Sequence, residues 1–299
     1  MRALITGAGG MLGEAVYQTA SSLYKEVRAS DIDLNEPWLH YLDVRDIRAV
    51  MTFCDDYKPD LIIHLAALTD LEYCEVNAEE AWKTNALGAE NVALAAKKLG
   101  ATMVHISTAG VFGGEKEFFH DFDVPNPLSI YGKSKYHAEQ FVQQQVPNHY
   151  VFRAGWMMGG GPKKDKKFVN KVYQQLARGV KELFVVDDKL GTPTYTHDFS
   201  KNMSKVIDTV YYGLYNQVCG GSCSRYDVAL DLVTLWRVQD SVTVTKVSSD
   251  HFKQEYFAPR PESEKLINLK LSKRDINFMR DWKTCLAEYA VQFPPLARP

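Results

Sequence analysis

The sequence predicts an α/β protein: a Rossmann-type, doubly wound parallel sheet joined to a smaller mixed α/β substrate lobe. Three observations carry this. Short apolar runs alternate with longer stretches of helical periodicity, the runs are apolar on consecutive positions, and a glycine-rich turn follows the first of them. Unbroken apolar stretches such as Leu61-Ile62-Ile63 mark parallel strands covered on both faces. A sheet of this kind binds its ligands beyond the carboxyl ends of its strands.

Taken in order, Arg2–Thr6 reads as the first strand and 11–22 as the helix after it. Strands over 26–30, 60–65, 102–107 and 150–154 alternate with helices over 46–57, 78–99 and 129–145. After Ala154 the pattern loosens. A stretch rich in Gly and Lys, 155–167, precedes a helix over 168–178, and short strands fall near 183–186 and 213–218. Ser224-Arg225-Tyr226-Asp227 then opens another helix with a capping-box pattern, Asp standing in for the usual Glu. The reading is a dinucleotide-binding domain over 1–154 and a substrate-binding lobe over 155–299, with some segments interwoven and no long linker.

Composition narrows the function classes. The 299 residues carry 35 Lys+Arg against 37 Asp+Glu, a formal charge of −2, so there is no basic excess for a nucleic-acid partner. No run approaches the roughly 18 apolar residues of a membrane span. The apolar stretch near Met1 is shorter than the roughly 7–15 residues of a signal-peptide core, and a cytoplasmic protein is expected. The five cysteines (Cys54, Cys74, Cys219, Cys223, Cys285) are odd in number and scattered, which fits a reduced compartment. Cys219 and Cys223, the close pair, lack the further Cys or His of a zinc set, and no metal is expected.

Gly7-Ala8-Gly9-Gly10-Met11-Leu12-Gly13 lies between the first strand and the first helix. Glycines there allow a tight turn and let a pyrophosphate lie against backbone N–H groups at a helix N-terminus. A glycine triplet alone also fits a turn with no ligand. Asp31, eighteen residues after Gly13 at the end of the second strand, is placed to accept hydrogen bonds from the adenine ribose. Its charge opposes a 2′-phosphate, so NAD(H) is favoured over NADP(H), with either allowed because Arg28 is close in sequence; Asp33 is the alternative acid.

Tyr131-Gly132-Lys133-Ser134-Lys135 sets Tyr131 and Lys135 one turn apart on one helix face. A phenol with its usual pKa near 10 is a poor acid or base at neutral pH. An ammonium about 4 Å away is worth roughly 4 kcal/mol at an effective dielectric of 20, enough to bring the phenol toward neutrality. Such a pair alone is more often an inert exposed one. Here the strand ending Ile106-Ser107-Thr108 brings hydroxyls to the same sheet edge.

At this point the chain resembles the extended short-chain dehydrogenase/reductases, and within them the dTDP-4-dehydrorhamnose reductase family. The resemblance runs from Met1 to about Leu271. It rests on the glycine turn, Leu42-Asp43-Val44, Leu65-Ala66-Ala67-Leu68-Thr69, Thr84-Asn85, Ser107-Thr108-x-x-Val111-Phe112, Pro127-x-x-x-Tyr131-Gly132-x-Ser134-Lys135, Phe152-Arg153-x-x-Trp156, Gly191-x-Pro193-Thr194 and Arg260-Pro261. It implies a catalytic set of Thr108, Tyr131 and Lys135, with Tyr131 protonating the developing alkoxide as hydride reaches the sugar's C4. Lys135 also holds the nicotinamide ribose. The implied cofactor set adds Gly7, Gly9, Gly10, Met11, Leu12, Gly13, Asp43 and Val44 at the adenine, Leu65, Ala66 and Ala67 along the pyrophosphate, and Asn85. Thr69, Ser107, Trp156 and Arg260 make up the implied substrate set. A homodimer is compatible with the resemblance.

The chain departs from that family in three places. Members commonly continue the Ser-Thr pair with Asp-Tyr, where this chain has Ala109-Gly110, so an acid and an aromatic ring are missing where the hexose lies. A helix glutamate that joins a bridging metal in some relatives is Ala15 here, and Glu262-Ser263-Glu264 makes the neighbourhood of Arg260 acidic.

The run Lys163-Lys164-Asp165-Lys166-Lys167 reads foremost as a solvated loop, with a diphosphate grip as the alternative. His64 and His105 read as neutral core histidines. The leading expectation is an NAD(P)H-dependent reductase of a nucleotide-activated 4-keto-6-deoxy sugar. Its rivals are an epimerase that keeps NAD bound through the cycle and a non-catalytic dinucleotide-binding regulatory subunit, since that of methionine adenosyltransferase resembles these reductases.

Overall fold

The computed structural model describes residues 1–296. Seven parallel strands form the main sheet: β1 (Arg2–Thr6), β2 (Glu26–Asp31), β3 (Leu39–Tyr41), β4 (Leu61–His64), β5 (Thr102–Thr108), β6 (His149–Ala154) and β7 (Gly213–Asn216). Their spatial order is β7-β6-β5-β4-β1-β2-β3, so the winding reverses between β1 and β4. That reversal opens the crevice in which such sheets take dinucleotides. The three-residue β3 pairs with the end of β2 and carries His40 and Tyr41 on exposed positions, so no apolar run announces it.

The consecutive apolar residues divide between two faces, as burial on both sides requires. Ile5, Ile63, Val104 and Phe152 pack with Val16 of helix Gly13–Leu23 and with Phe199 and Met203 of helix Thr196–Asp208. Leu4, Ile62, Met103 and Val151 pack with Val50, Val92 and Val142 from helices Ile47–Tyr57, Gly88–Leu99 and Ile130–Gln145. Two segments beyond residue 154 are thus built into the first sheet: β7 pairs with β6, and helix Thr196–Asp208 lies on helix Gly13–Leu23, with Ser200 Oγ donating to the Ala15 carbonyl at 3.1 Å.

The rest of the second half has its own core of Val172, Leu183, Val228, Leu232, Leu286 and Tyr289. Helix Arg225–Leu235 begins with the reciprocal box the sequence indicates: Asp227 N–H donates to Ser224 Oγ at 3.1 Å, and Ser224 N–H to Asp227 Oδ2 at 2.8 Å. The stretch 78–99 is not one regular helix. A π-helical turn, Trp82–Leu87, interrupts it and rotates Asn85 inward.

Candidate functional site

A cleft of about 1410 Å³ runs along the carboxyl edge of the sheet, between its strand ends and the second lobe. Single drug-sized ligands occupy about 300–1000 Å³, so there is room for two large molecules end to end.

The glycine turn forms one end. Gly7 has φ of +74°, and a Cβ there would lie 2.3 Å from the Ala66 nitrogen, where the chain leaving β4 crosses it. Only glycine fits both demands. Gly9 and Gly10 line the cleft with bare backbone beside Met11 and Leu12, whereas Gly13 is buried behind it, where a Cβ would meet the Ala8 carbonyl. Asp31 lies at this end with both carboxylate oxygens engaged: Oδ2 accepts Gly9 N–H at 2.8 Å and Oδ1 accepts Asp33 N–H at 3.0 Å. Asp43 and Val44 face the same end. Arg45 grips Asp43 at 2.8 Å, and that bond holds its carboxyl below the usual range.

Leu65, Ala66, Ala67 and Thr69 continue the wall after β4. Asn85 is corrected from a wall residue to a brace. It is fully buried, its Oδ1 accepts Leu68 N–H at 2.8 Å, and its Nδ2 donates to the Leu68 carbonyl at 3.0 Å and to Ser134 Oγ at 3.1 Å.

The middle of the cleft is formed by β5 and helix Ile130–Gln145. Ser129 caps the helix, accepting Gly132 N–H at 3.1 Å. Gly132 is packed so closely that a Cβ there would lie 2.3 Å from the Gly110 carbonyl oxygen. Ser134 Oγ bonds back to the Tyr131 carbonyl at 2.9 Å. Gly132 thus lets the helix start approach the segment after β5, and Ser134 ties the helix to Asn85. Thr108, Tyr131 and Lys135 all open into the cleft, with Ser107 beside them.

The electrostatics correct one expectation. Burial pushes the Tyr131 phenol up to about 12, with a hydrogen bond to Thr108 acting the other way and the nearby Glu264 charge adding to the rise. Burial also lowers the Lys135 ammonium to about 8, opposed by Glu139. Desolvation outweighs the attraction that helical spacing alone suggested, so the phenol keeps its proton at neutral pH. Under Lys135, His64 and His105 stack at 5.6 Å on the sheet face. Burial holds His64 down to about 3 and His105 well below its ordinary value, so both rings are neutral.

The second lobe supplies the far wall. Trp156 Nε1–H donates to Glu264 Oε2 at 2.8 Å, and the Arg225 guanidinium lies 3.8 Å from the Trp156 ring. Arg260 reaches the cleft but is tied to Glu72 at 2.7 Å. The lysine run is not a free solvated loop. Lys163 and Lys164 pair with Glu36 at 3.0 and 3.1 Å, and Lys167 Nζ donates to the Thr69 carbonyl at 2.9 Å, so the run ties the second lobe to the first. Arg45, Arg225 and Glu264 are cleft residues that motif reading passed over. Arg225 and Glu264 arrive from separate elements of the second lobe, and no local spacing marks them.

Glycine turn, acid at the end of β2, and a Thr/Tyr/Lys set shared by the end of β5 and helix Ile130–Gln145 together define a dinucleotide-binding α/β protein of the short-chain dehydrogenase/reductase class. The chain belongs to the RmlD substrate binding domain family, whose model matches residues 1–294. It is 32% identical over 291 residues to the dTDP-4-dehydrorhamnose reductase of Mycolicibacterium smegmatis, covering 96% of this chain and 84% of that one. A solved dTDP-4-dehydrorhamnose reductase from Clostridium acetobutylicum is 37% identical, with a TM-score of 0.89 over 97% of this chain and 98% of that one. That of Bacillus anthracis, solved in complex with NADP, is 31% identical, with a TM-score of 0.88 over 98% and 99%.

Proposed function

We propose that the protein is an NAD(P)H-dependent reductase of a nucleotide-activated 4-keto-6-deoxy sugar. The observation that carries this is the convergence of Thr108, Tyr131 and Lys135 on the cleft that begins at the bare glycine turn. The turn fits a dinucleotide: Gly7, Gly9 and Gly10 would hold the pyrophosphate, Asp31 the adenine ribose, Asp43 and Val44 the adenine, and Lys135 the nicotinamide ribose. Bound there, the nicotinamide supplies the hydride.

The chain's own groups manage the proton. A ketone oxygen beside Thr108 and Tyr131 is polarised by two hydroxyls. With its pKa raised to about 12, the Tyr131 phenol stands protonated and gives its proton to the oxygen as negative charge develops there. Lys135, one helical turn on, then offsets the charge left on the phenolate. Asp31 supports NADH as the favoured donor, because its carboxylate opposes a 2′-phosphate. All five cysteines are free and buried, which supports the reducing cytoplasm as the setting. Among the described residues no helix is long and apolar enough to cross a membrane.

The test follows NADH and NADPH absorbance with dTDP-4-keto-6-deoxyhexoses and their C5 epimers, with light scattering reporting the homodimer. Stoichiometric oxidation of either cofactor supports the reading. Epimer interconversion with tightly held NAD and no net oxidation overturns it in favour of an epimerase. Co-purification with a synthetase and no turnover overturns it in favour of a regulatory subunit.

A further inference from the structure

Gly110 leaves a space in the wall beside Thr108, and a residue far along the chain fills it. A Cβ placed on Gly110 would lie 3.4 Å from Thr108 Oγ1 and 3.5 Å from Glu264 Oε1, so both oxygens border the same small volume. A Cβ at 110 would already touch that carboxylate, so a longer side chain there would compete with it for the space. Glu264 sits in the short strand Ser263–Glu264, paired with Leu190-Gly191, and its Oε2 is fixed by the Trp156 indole N–H at 2.8 Å. Glu264 lines the cleft, and its Oε1, beside Gly110, has no hydrogen-bond donor among the described residues. The acid that Ala109-Gly110 lack is thus present in space as Glu264, carried by another element.

A carboxylate accepts hydrogen bonds and donates none. Beside a carbon where an alkoxide develops, an unpaired acceptor is unfavourable unless the substrate brings a donor to it. We infer that Glu264 is a specificity-determining residue whose Oε1 accepts a hydrogen bond from a hydroxyl or ammonium on the ring carbon next to the reacting ketone. Sugars with only hydrogen at that carbon are rejected. This rests on the reading of the protein as a nucleotide-sugar reductase, and Gly110 is the other half of the device, since its missing side chain leaves the carboxylate its place.

The test measures calorimetric affinity of the NADPH-loaded protein for three dTDP-6-deoxyhexoses that differ only at that carbon, bearing hydroxyl, amino or hydrogen. Oxidation of NADH and of NADPH with the matching 4-keto sugars is read in parallel. A hydrogen bond to a charged acceptor is expected to give wild type a preference of about 10- to 100-fold for the hydroxyl sugar over the deoxy one. In Glu264→Ala the ratio falls to near one. In Glu264→Gln, which keeps an acceptor for Trp156, the hydroxyl preference weakens and NADPH affinity is unchanged, which separates recognition from loss of folding. A larger loss for the amino sugar than for the hydroxyl sugar identifies the cationic donor as the natural one, and equal losses identify the hydroxyl. Retention of the full preference in both variants overturns the assignment, whatever the turnover. Discrimination in binding without oxidation of either NADH or NADPH overturns the reductase reading and leaves the assignment standing, and binding of none of the sugars overturns both.

Discussion

Arg153 and Glu139 form a doubly hydrogen-bonded ion pair, Nε to Oε1 at 2.9 Å and Nη2 to Oε2 at 2.7 Å, almost wholly shielded from solvent. Glu139 is one turn beyond Lys135 on the same helix, so the pair underlies the catalytic face. Removing one partner of a buried pair leaves an unpaired charge and costs about 3–5 kcal/mol. Glu139→Gln is therefore expected to lose stability of that order in urea unfolding. A loss under about 1 kcal/mol would show that the pair is wetter than its burial indicates.

Tyr131→Phe removes the proposed acid and leaves the glycine turn untouched. Turnover should fall by about 10²- to 10⁴-fold. Affinity for NADH and NADPH, read by fluorescence titration, should stay at the wild-type level. Wild-type turnover in this variant would refute the role of the phenol.

Under the proposed mechanism Lys135 sets the alkaline limit of the reaction. Its lowered pKa of about 8 means that the charged form predominates below that pH and is lost above it, while Tyr131 stays protonated to about 12. The kcat/KM for reduction should be level through neutrality and decline about tenfold per pH unit above about 8. Lys135→Arg keeps its charge and should carry what activity it retains to higher pH. The measurement is a pH–rate profile of both proteins.

The buried histidines set a limit on the acid side. Folded His64 has a pKa near 3 against 6.5 when free, so the unfolded chain binds the extra proton between those values and stability falls as pH drops through that window. At pH 5 this ring alone costs about 2 kcal/mol relative to pH 7.5, and His105 adds in the same direction. The carboxyls of Asp43 and Asp198 sit below their ordinary 3.8 and act only in more acid solution. Equal urea midpoints at pH 7.5 and 5 would contradict this account.

Asp31 is expected to govern cofactor choice. Asp31→Asn keeps an acceptor for Gly9 N–H and removes the charge that opposes a 2′-phosphate. The ratio of kcat/KM for NADPH over NADH should rise about tenfold, the scale of one close like-charge contact in a wet site. An unchanged ratio would move the discrimination elsewhere.

The parts of the site that the sequence reveals are those made by neighbours along the chain. The glycine turn and the Tyr131–Lys135 spacing are local geometry, so motif reading finds them. Glu264 is not local. In the sequence it is an acid near Arg260; in space it turns instead to Trp156, 108 positions earlier. Lys163 and Lys164 read as solvated because Glu36 is absent from their stretch of chain, and Asn85 depends on a π turn that apolar periodicity does not encode. Cys219 is close to Cys223 in sequence, yet its sulfur lies 3.7 Å from that of Cys285. For Tyr131, spacing supplied the separation from Lys135 but not the amount of water, and water decided the sign.

Trp156, Arg225 and Glu264 reach the cleft from three separate elements of the second lobe, none of them shared with the glycine turn or with the Tyr131 helix. Drift in that wall reaches the first lobe through Glu264, which borders Thr108 across Gly110 and adds to the rise of the Tyr131 phenol. A lineage built on this plan can recast that wall by a handful of changes while inheriting the glycine turn intact.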